Sequence, residues 1–323
     1  MDSRHSSVQL EDSNMTSPVI RIATRSSKLA LWQAEYVRSL LRAAVPDVAV
    51  EIVHVKTVGD KNQTDALRQF GGTGVFTREV QNSVLSGDTE IAVHSLKDLP
   101  TESAEGLVLG GVPERAPTAD ALLLPNAEGL ESLSDLPPGA RIGTGSPRRQ
   151  AQLLHLRPDL KMLEIRGNVE TRIRKLDDGD YDAIVLAEAG LQRLGLTDRI
   201  SLLLAPPDVL PAVGQGAIGI ECRENDASTL KALTAITDVH VLDCVRAERA
   251  LLKELRAGCH APLGAWTELS ADQLKLTAVL LSSDGTQRLS AEATGPQKDP
   301  EKLGVDVAGQ LLKSGGQQLV DAI

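Results

Sequence analysis

The first two-thirds of this 323-residue chain alternates between short apolar runs and amphipathic segments, which is the pattern of strands each followed by a helix. The predicted strands cover 19–24, 48–57, 90–95, 141–145, 161–167 and 182–187, and the predicted helices cover 27–44, 77–87, 146–157, 168–179 and 188–196. Such alternation builds mainly parallel sheets covered by helices. The Pro-containing stretch 113–120 divides it into two blocks, so we expect two α/β domains flanking a cleft.

From about Val239 the pattern changes. A helix is predicted over 241–258, with Gly258 at its C-terminal stop, followed by three strands that include a turn at SSDG (282–285) and by two helical stretches. We expect this part to be a smaller α+β domain with an antiparallel sheet. The predicted boundaries are a disordered tail at 1–18, domain 1 at 19–115 plus 215–236, domain 2 at 116–214, and the C-terminal domain at 237–323.

Composition excludes several classes of protein. A net charge of −10 argues against nucleic-acid binding, and no apolar run is long enough to cross a bilayer. The first 18 residues are polar and do not resemble a signal peptide, so a cytoplasmic setting is expected. Cys222, Cys244 and Cys259 form no CxxC motif and the six histidines are scattered, so no metal site and no disulfide framework are predicted.

Charged and polar side chains stand directly after the predicted strands, where open α/β sheets bind their ligands. These residues are Arg25, Ser27, Lys97, Asp98, Ser146, Arg148, Arg149, Arg166, Arg172 and Arg193. A single arginine at a helix start is usually a solvated surface charge. Five strand–helix junctions that each carry Arg or Lys instead predict a shared site for several anionic groups, because guanidinium pairs well with carboxylate or phosphate.

The segment Gly214–Gly219 matches GxGxxG, but it precedes a predicted strand, IGIECR, rather than opening a helix. The dinucleotide-binding motif needs the order strand, turn, helix. We therefore reject nicotinamide binding and interpret the glycines as a hinge or crossing back to the first domain. No GxxxxGK[ST] motif is present, so a P-loop nucleotide hydrolase is also excluded.

Seven segments together resemble the porphobilinogen deaminase family, and they occur in order from about residue 20 onward. They are TRSSKLALWQA (24–34), HSLKDLP (94–100), GTGSPRRQAQL (143–153), IRGNVETRIRKLD (165–177), DAIVLAEAGLQRLGL (182–196), AVGQGAIGIECR (212–223) and AGCHAPLGAW (257–266). The resemblance implies three domains, the first two similar to periplasmic binding proteins. It also implies a monomeric transferase of heme and tetrapyrrole biosynthesis, which condenses four porphobilinogen molecules, releases four ammonia molecules, and passes linear hydroxymethylbilane to a downstream tetrapyrrole enzyme.

The same resemblance implies a dipyrromethane cofactor bound through a thioether to Cys259, with Asp98 as the catalytic carboxylate. Further cofactor contacts are implied for Lys97, Asp98, Ser146, Arg148 and Arg149, and substrate contacts for Arg25, Ser27, Arg166, Arg172, Arg193 and Gln215. The position of Cys259 just after a predicted helix C-terminus should raise its thiol pKa. That environment suits a single anchoring event rather than activation at every turnover.

The sequence departs from the family pattern at two places. Thr73 stands where relatives usually carry lysine in GGKG, and Ala257 replaces the first glycine of GGC. The glycine-containing stretch 59–74 is predicted to be a mobile lid. Two other functions stay open from the residues alone, namely a non-enzymatic anion-binding module and an α/β transferase acting on phosphorylated substrates.

Overall fold

The computed structural model describes residues 19–55, 77–258 and 261–322. Its first sheet consists of β1 (Val19–Thr24), β2 (Ala49–His54), β3 (Ile91–Ser95), β4 (Leu107–Gly111) and β10 (Ile218–Arg223). The strand order is β2-β1-β3-β10-β4. β1 runs parallel to β2 and β3, whereas β10 runs antiparallel to both of its neighbours. The sheet therefore depends on a strand that arrives more than 100 residues later in the chain.

Among the described residues, three helices accompany this sheet: α1 (Lys28–Ala44), α2 (Arg78–Leu85) and α6 (Ala227–Thr234). Helix α1 forms because Ala34, Val37 and Leu41 recur at helical spacing, and all three are completely buried against the sheet. Its first turn is closed by Ser27, whose hydroxyl accepts a hydrogen bond from the Ala30 amide.

The second sheet repeats the plan of the first. It contains β5 (Asp120–Leu123), β6 (Arg141–Gly143), β7 (Lys161–Leu163), β8 (Ala183–Ala187) and β9 (Leu202–Leu204), in the order β7-β6-β8-β5-β9. Its helices are α3 (Pro147–Leu156), α4 (Val169–Asp177) and α5 (Glu188–Arg193). β6 is parallel to β7 and β8, and β5 is antiparallel to β8 and β9.

Two crossovers, 112–119 and 205–217, connect the sheets and touch each other. The Ala116 amide donates a hydrogen bond of 3.1 Å to the Gly216 carbonyl. Gly216 has a φ of +83°, and a Cβ there would lie 2.3 Å from the Ala116 carbonyl oxygen. Only glycine fits both the conformation and the space. The chain then enters β10, which pairs with β3, so the predicted crossing back to the first sheet through 214–219 is confirmed.

The C-terminal part consists of α7 (Val239–Glu254), β11 (Leu263–Ser270), β12 (Gln273–Leu281), β13 (Arg288–Pro296), α8 (Pro300–Leu311) and α9 (Gln317–Asp321). The three strands are antiparallel in the order β11-β12-β13, and α7 and α8 pack on one another. Their shared core is aliphatic, with Leu251, Leu276 and Val307 completely buried.

A buried glutamate ties this C-terminal part to both crossovers. Glu248 of α7 is completely buried and forms a bidentate pair with Arg115, at 2.8 and 3.0 Å. The same carboxylate accepts hydrogen bonds from the Gly214 amide and the Thr267 hydroxyl, both at 2.7 Å. Because every contact of the carboxylate is made inside the protein, losing one partner would leave a buried charge poorly compensated.

The predicted fold class is confirmed: two five-stranded α/β units and a smaller α+β unit with an antiparallel sheet. The proposed domain boundaries stay a prediction. Several element bounds were wrong. The strands at 141 and 161 end at Gly143 and Leu163, and the helix predicted over 241–258 ends at Glu254, so Gly258 is not its stop. Strands β4, β5 and β9 were not predicted.

Within the described ranges, no helix has the length and apolarity needed to cross a bilayer.

Gly304 lies where α8 crosses α7, and a Cβ added there would meet the Ala247 carbonyl oxygen at 2.3 Å. We expect Gly304→Ala to destabilise the protein by about 1–3 kcal/mol, because the two helices must separate. Gly309→Ala in the same helix is the matched control, since a Cβ there meets nothing within 4 Å. It should be neutral or stabilise by up to about 1 kcal/mol. Chemical unfolding midpoints measure both effects, and equal stabilities would contradict this packing.

Candidate functional site

The central residues of the site lie just after β3. The chain turns there through a short 3-10 segment, Leu96–Asp98, which is fixed by the buried Leu96 side chain and by a hydrogen bond from the Leu96 amide to the Ala217 carbonyl. This anchoring leaves Lys97 half-buried and Asp98 exposed at the carboxyl end of the first sheet. The expected position of both residues at a strand end is therefore found.

Gln215 connects this segment to the second sheet. Its side chain is fully buried, and its Oε1 accepts a hydrogen bond of 3.3 Å from Nζ of Lys97. Its Nε2 donates to the Thr118 carbonyl at 2.7 Å and to Oδ1 of Asp120 at 2.9 Å. Gln215 thus bridges Lys97 and Asp120, and no capacity remains on its amide nitrogen for an additional strong acceptor.

Asp120, at the start of β5, is the residue that the sequence interpretation missed. Both Nε and Nη2 of Arg149 donate to its Oδ1, at 3.0 and 2.8 Å, and Nη1 of Arg148 lies 2.7 Å from its Oδ2. Asp120 is 1% exposed. Burial alone would raise the pKa of this carboxyl, but the two guanidiniums hold it well below its usual range. The sequence did contain one signal for this residue. Asp120 directly precedes the apolar run ALLL (121–124), and a carboxylate at the start of a buried strand needs a buried partner.

The two arginines come from the start of α3, where Ser146 is the N-cap and accepts a hydrogen bond of 3.5 Å from the Arg149 amide. Both are buried, and each guanidinium also donates to a backbone carbonyl: Arg148 to Leu210 at 2.6 Å and Arg149 to Val185 at 2.9 Å. Nε of Arg148 is buried without a hydrogen-bond partner among the described residues. That orphaned donor marks a place for an acceptor from a ligand.

Charged residues of the two sheets influence one another's protonation. Burial lowers the pKa of Lys97 to about 8, and Arg149 lowers it further whereas Asp98 and Asp120 oppose the shift. Burial also lowers the pKa of Arg172 to about 10, with contributions from Arg149 and from Arg166, and with Asp98 opposing. Asp98 from the first sheet therefore shares its surroundings with Arg149 and Arg172 from the second.

The remaining predicted residues are placed as follows. Arg172 donates through Nε to the Gly167 carbonyl at 2.8 Å, and Arg166 is exposed and paired with Glu164. Arg25 is half-buried at the end of β1, the neighbour of β3, and Ser27 caps α1. The hydroxyl oxygens of Ser27 and Ser146 thus accept helix-cap hydrogen bonds in this structure, which leaves each O–H able to donate.

Arg193 makes contacts of its own. Its Nη2 donates to the Gly216 carbonyl at 2.7 Å, and its guanidinium carbon stands 5.5 Å from the centre of the Trp32 ring. Gly216 follows Gln215 directly, so Arg193 and Lys97 contact adjacent residues of the second crossover. The structure does not bring Arg193 among the partners of Asp98 and Arg172.

Cys259 lies outside the described residues, as do Thr73 and the predicted lid at 59–74. Of the other cysteines, Cys222 is completely buried in β10, where burial raises the pKa of its thiol to about 11. Cys244 is half-buried in α7, and burial raises its pKa as well. Neither thiol is activated for nucleophilic attack.

Comparison with known proteins identifies the family. Residues 20–231 match the family model of the porphobilinogen deaminase, dipyromethane cofactor binding domain, and residues 242–313 match that of the porphobilinogen deaminase, C-terminal domain. The porphobilinogen deaminase of Geotalea uraniireducens is 46% identical over 306 residues, 95% of each chain. This chain belongs to the porphobilinogen deaminase family. The enzyme of the same name from Geobacter sp. (strain M21) is 47% identical and covers 93% of both chains.

A much weaker similarity, at 14% identity and a TM-score of 0.43, relates 71% of the chain to 94% of the methionine binding protein MetQ. The assignment to the porphobilinogen deaminase family is independent of it.

The Lys97 ammonium offers a direct test of the site's electrostatics. In protein carrying ¹³C-labelled lysine, we expect the Lys97 Cε resonance, assigned by its loss in Lys97→Arg, to titrate near pH 8. An ordinary lysine titrates near pH 10.4, about two units higher. Asp120→Asn should move the midpoint lower still, because Asp120 raises the pKa of Lys97. A midpoint at the ordinary lysine value would contradict the buried, cation-rich surroundings.

Proposed function

We propose that this chain is a hydroxymethylbilane synthase, a transferase that joins four porphobilinogen molecules head to tail. Four porphobilinogen molecules and one water give one linear hydroxymethylbilane and four ammonia molecules. The observation that carries the proposal is the exposed Asp98 carboxylate, which shares its surroundings with Lys97, Arg149 and Arg172 from two different sheets. The phosphate-transferring and non-enzymatic alternatives do not suit a chain that belongs to this family.

The cationic residues match the charge of the substrate. Porphobilinogen carries two side-chain carboxylates, so each condensation adds two negative charges to the growing chain. Lys97, Arg148, Arg149, Arg166 and Arg172 would hold these groups, with Arg25, Ser27, Ser146, Arg193 and Gln215 in supporting positions. Asp120 cancels one of the two charges on the Arg148–Arg149 pair. The pair therefore carries a net single positive charge, which balances one carboxylate.

Asp98 would act on the reacting pyrrole. When ammonia leaves the aminomethyl carbon, positive charge spreads over the ring and its N–H, and a carboxylate beside that N–H stabilises the charge. The same carboxylate can take up the proton that the attacking ring releases after the new carbon–carbon bond forms. Asp98 would serve both steps, because its carboxylate acts on both Lys97 and Arg172.

The residues also suit the dipyrromethane cofactor that the family domain binds. When bound, this group supplies the pyrrole carbon that accepts the first substrate unit. Its carboxylates would be held by Lys97, Ser146 and the arginine pair. The buried Nε of Arg148, which has no partner among the described residues, would donate a hydrogen bond to one of them. Cys259 would provide the thioether attachment.

The proposal extends to the setting of the reaction. We infer a monomer in the cytoplasm that releases a linear tetrapyrrole to a downstream tetrapyrrole enzyme. Free hydroxymethylbilane carries a hydroxymethyl group on a reactive pyrrole terminus, so a cyclising enzyme must take it up promptly. Light scattering of the purified protein tests the monomer.

Asp98→Asn should keep the fold and the substrate affinity but reduce turnover by about 10²–10⁴-fold, because an amide stabilises neither the ring charge nor the proton. The matched control is Glu102→Gln, four residues along, whose carboxylate pairs with Lys253 at the surface at 3.4 Å. That control should leave turnover unchanged. Steady-state measurement of hydroxymethylbilane formation decides between the outcomes, and a nearly normal rate in Asp98→Asn would remove the residue from its proposed role.

Intact mass spectrometry tests the cofactor attachment. Purified protein should exceed the mass of its sequence by a two-pyrrole adduct and should colour with Ehrlich's reagent. Cys259→Ser should lose the adduct, whereas Cys222→Ser and Cys244→Ser should retain it. An unmodified mass in active protein would overturn the cofactor proposal.

A further inference from the structure

A hairpin of the C-terminal part rests on helix α3, at the end opposite to the arginine pair. Its turn, residues 282–287, joins β12 to β13. Nδ1 of His155, near the end of α3, donates a hydrogen bond of 3.0 Å to the Gly285 carbonyl, which can only accept. A Cβ added to Gly285 would lie 2.5 Å from the Ala151 carbonyl oxygen and 2.7 Å from the His155 amide nitrogen. The backbone of Gly285 therefore packs directly on the backbone of α3.

The turn is stabilised by hydrogen bonds of its own. The Asp284 carboxylate accepts from the Ser282 hydroxyl at 2.5 Å, the Thr286 hydroxyl at 2.8 Å and the Thr286 amide at 3.0 Å. The Gly285 amide donates to the Ser282 carbonyl at 2.9 Å. Gly285 has a φ of +73°, which glycine adopts without strain. The hairpin therefore presents a well-defined backbone surface to the helix.

The middle of α3 lies between β12 and the second sheet. Ala151 is completely buried in a cluster with Val279 and Leu281 of β12 and with Leu210 of the second crossover. Leu153, two residues further along the helix, points to the opposite side and is completely buried against the second sheet. The C-terminal part and the second sheet thus hold α3 between them.

The Arg148 end of α3 reaches the same C-terminal part through Leu210. The Leu210 carbonyl accepts a hydrogen bond of 2.6 Å from Nη1 of Arg148. Leu210 in turn packs on β11, since a Cβ at Gly264 would lie 2.7 Å from the Leu210 Cβ. The Ala265 amide of that strand donates to the Pro211 carbonyl at 2.9 Å. The carbonyl that receives Arg148 is therefore held in place by β11.

We propose that the 282–287 hairpin is a positioning element for anion binding at Arg148, with Gly285 and His155 as its contact residues. A helix of ten residues is a stiff rod about 15 Å long, so a displacement at its His155 end also moves its Arg148 end. The Nε of Arg148, which has no partner among the described residues, must point closely at a carboxylate to bond it. This inference rests on the proposed function, under which that carboxylate belongs to the cofactor or the growing chain.

The contact would connect the arginine pair to the part of the chain that contains Cys259. Under the proposed function, the cofactor is attached at Cys259 while Arg148 receives one of its carboxylates. A cofactor held at both points requires them to keep their relative positions. Helix α3 meets the C-terminal part at the hairpin and at β12, and reaches β11 through Leu210. These three contacts would make the helix and the C-terminal part move together.

Gly285→Ala is the variant that separates the hairpin from α3. A methyl carbon and a carbonyl oxygen stay about 3.5 Å apart, so hairpin and helix must part by about 1 Å. Gly179→Ala is the matched control, because Gly179 also has a positive φ, +85°, but a Cβ there meets nothing within 4 Å. Both variants carry similar backbone strain, and only Gly285→Ala disturbs the contact with the helix.

The side-chain N–H signals of arginine measure the effect at the site. In full-length protein carrying ¹⁵N-labelled arginine, the Nε–H signal of Arg148 is assigned by its loss in Arg148→Lys. We expect Gly285→Ala to shift or broaden this signal, and Gly179→Ala to leave it in place. Arg115 is the internal reference, because its Nε donates to the Gln215 carbonyl at 2.9 Å, outside α3. An unchanged Arg148 signal, or equal changes at Arg148 and Arg115, would overturn the proposal.

His155 variants test the polar half of the contact. His155→Leu removes the donor, whereas His155→Asn keeps an amide N–H near the place of Nδ1. We expect His155→Leu to move the Arg148 signal in the same direction as Gly285→Ala does, and His155→Asn to restore most of the wild-type position. Identical spectra for the two His155 variants would refute the positioning role of this residue.

Kinetics separate this inference from the proposed function. Gly285→Ala should lower kcat/KM for porphobilinogen about tenfold relative to Gly179→Ala, because a hydrogen bond to a charged ligand group is weakened. An unchanged kcat/KM in Gly285→Ala would refute the positioning role while leaving the activity in place. A displaced Arg148 signal in Gly285→Ala, together with a wild-type protein that does not consume porphobilinogen, would instead refute the proposed activity and leave the contact between hairpin and arginine standing.

Discussion

The site depends on one buried carboxylate. Asp120 holds Arg148 and Arg149 in fixed positions and receives the Gln215 amide that in turn positions Lys97. Without that negative charge, two adjacent buried guanidiniums and a half-buried ammonium would repel one another in a region of low dielectric. Asp120 therefore offsets much of the electrostatic repulsion among Arg148, Arg149 and Lys97.

A single buried carboxylate also organises the two crossovers. Glu248 neutralises Arg115 and fixes the Gly214 amide, so one side chain of the C-terminal part holds both segments that join the two sheets. Gly216 adds a close backbone approach that excludes any other residue. Motion of one sheet relative to the other must then pass through a few backbone torsions near 112–119 and 205–217. Gln215 lies inside this region, so the position of Lys97 is coupled to any such motion.

The sequence was sufficient for the architecture because the decisive signals are local. The alternation of apolar runs predicts both α/β units, and helices α3 and α4 begin within one residue of their predicted starts. Asp98 and Lys97 were found because strand ends are predictable positions. Asp120 was missed because its partners stand 28 and 29 residues away on another element, and that pairing is set by the antiparallel register of β5 in the sheet. The contacts of Arg193 with Trp32 and Gly216 are likewise a product of helix packing, which residue spacing does not encode.

The acidic composition of the chain does not oppose binding of a polyanion. A net charge of −10 is spread over the whole surface, and at physiological ionic strength fields from exposed charges fade within about 8 Å. A bound carboxylate therefore senses its immediate neighbours. Asp98 acts on Lys97 and Arg172, and Arg149 acts on both of these cations. Asp120 and Glu164 partly offset the charges of Arg149 and Arg166. Water and salt screen buried charges poorly. Short-range pairing of a ligand carboxylate with these cations therefore outweighs the unfavourable charge of the remainder of the protein. Affinity for a growing anionic chain should then depend on how many such local pairs are vacant at each step, which gives the site a finite capacity for carboxylates.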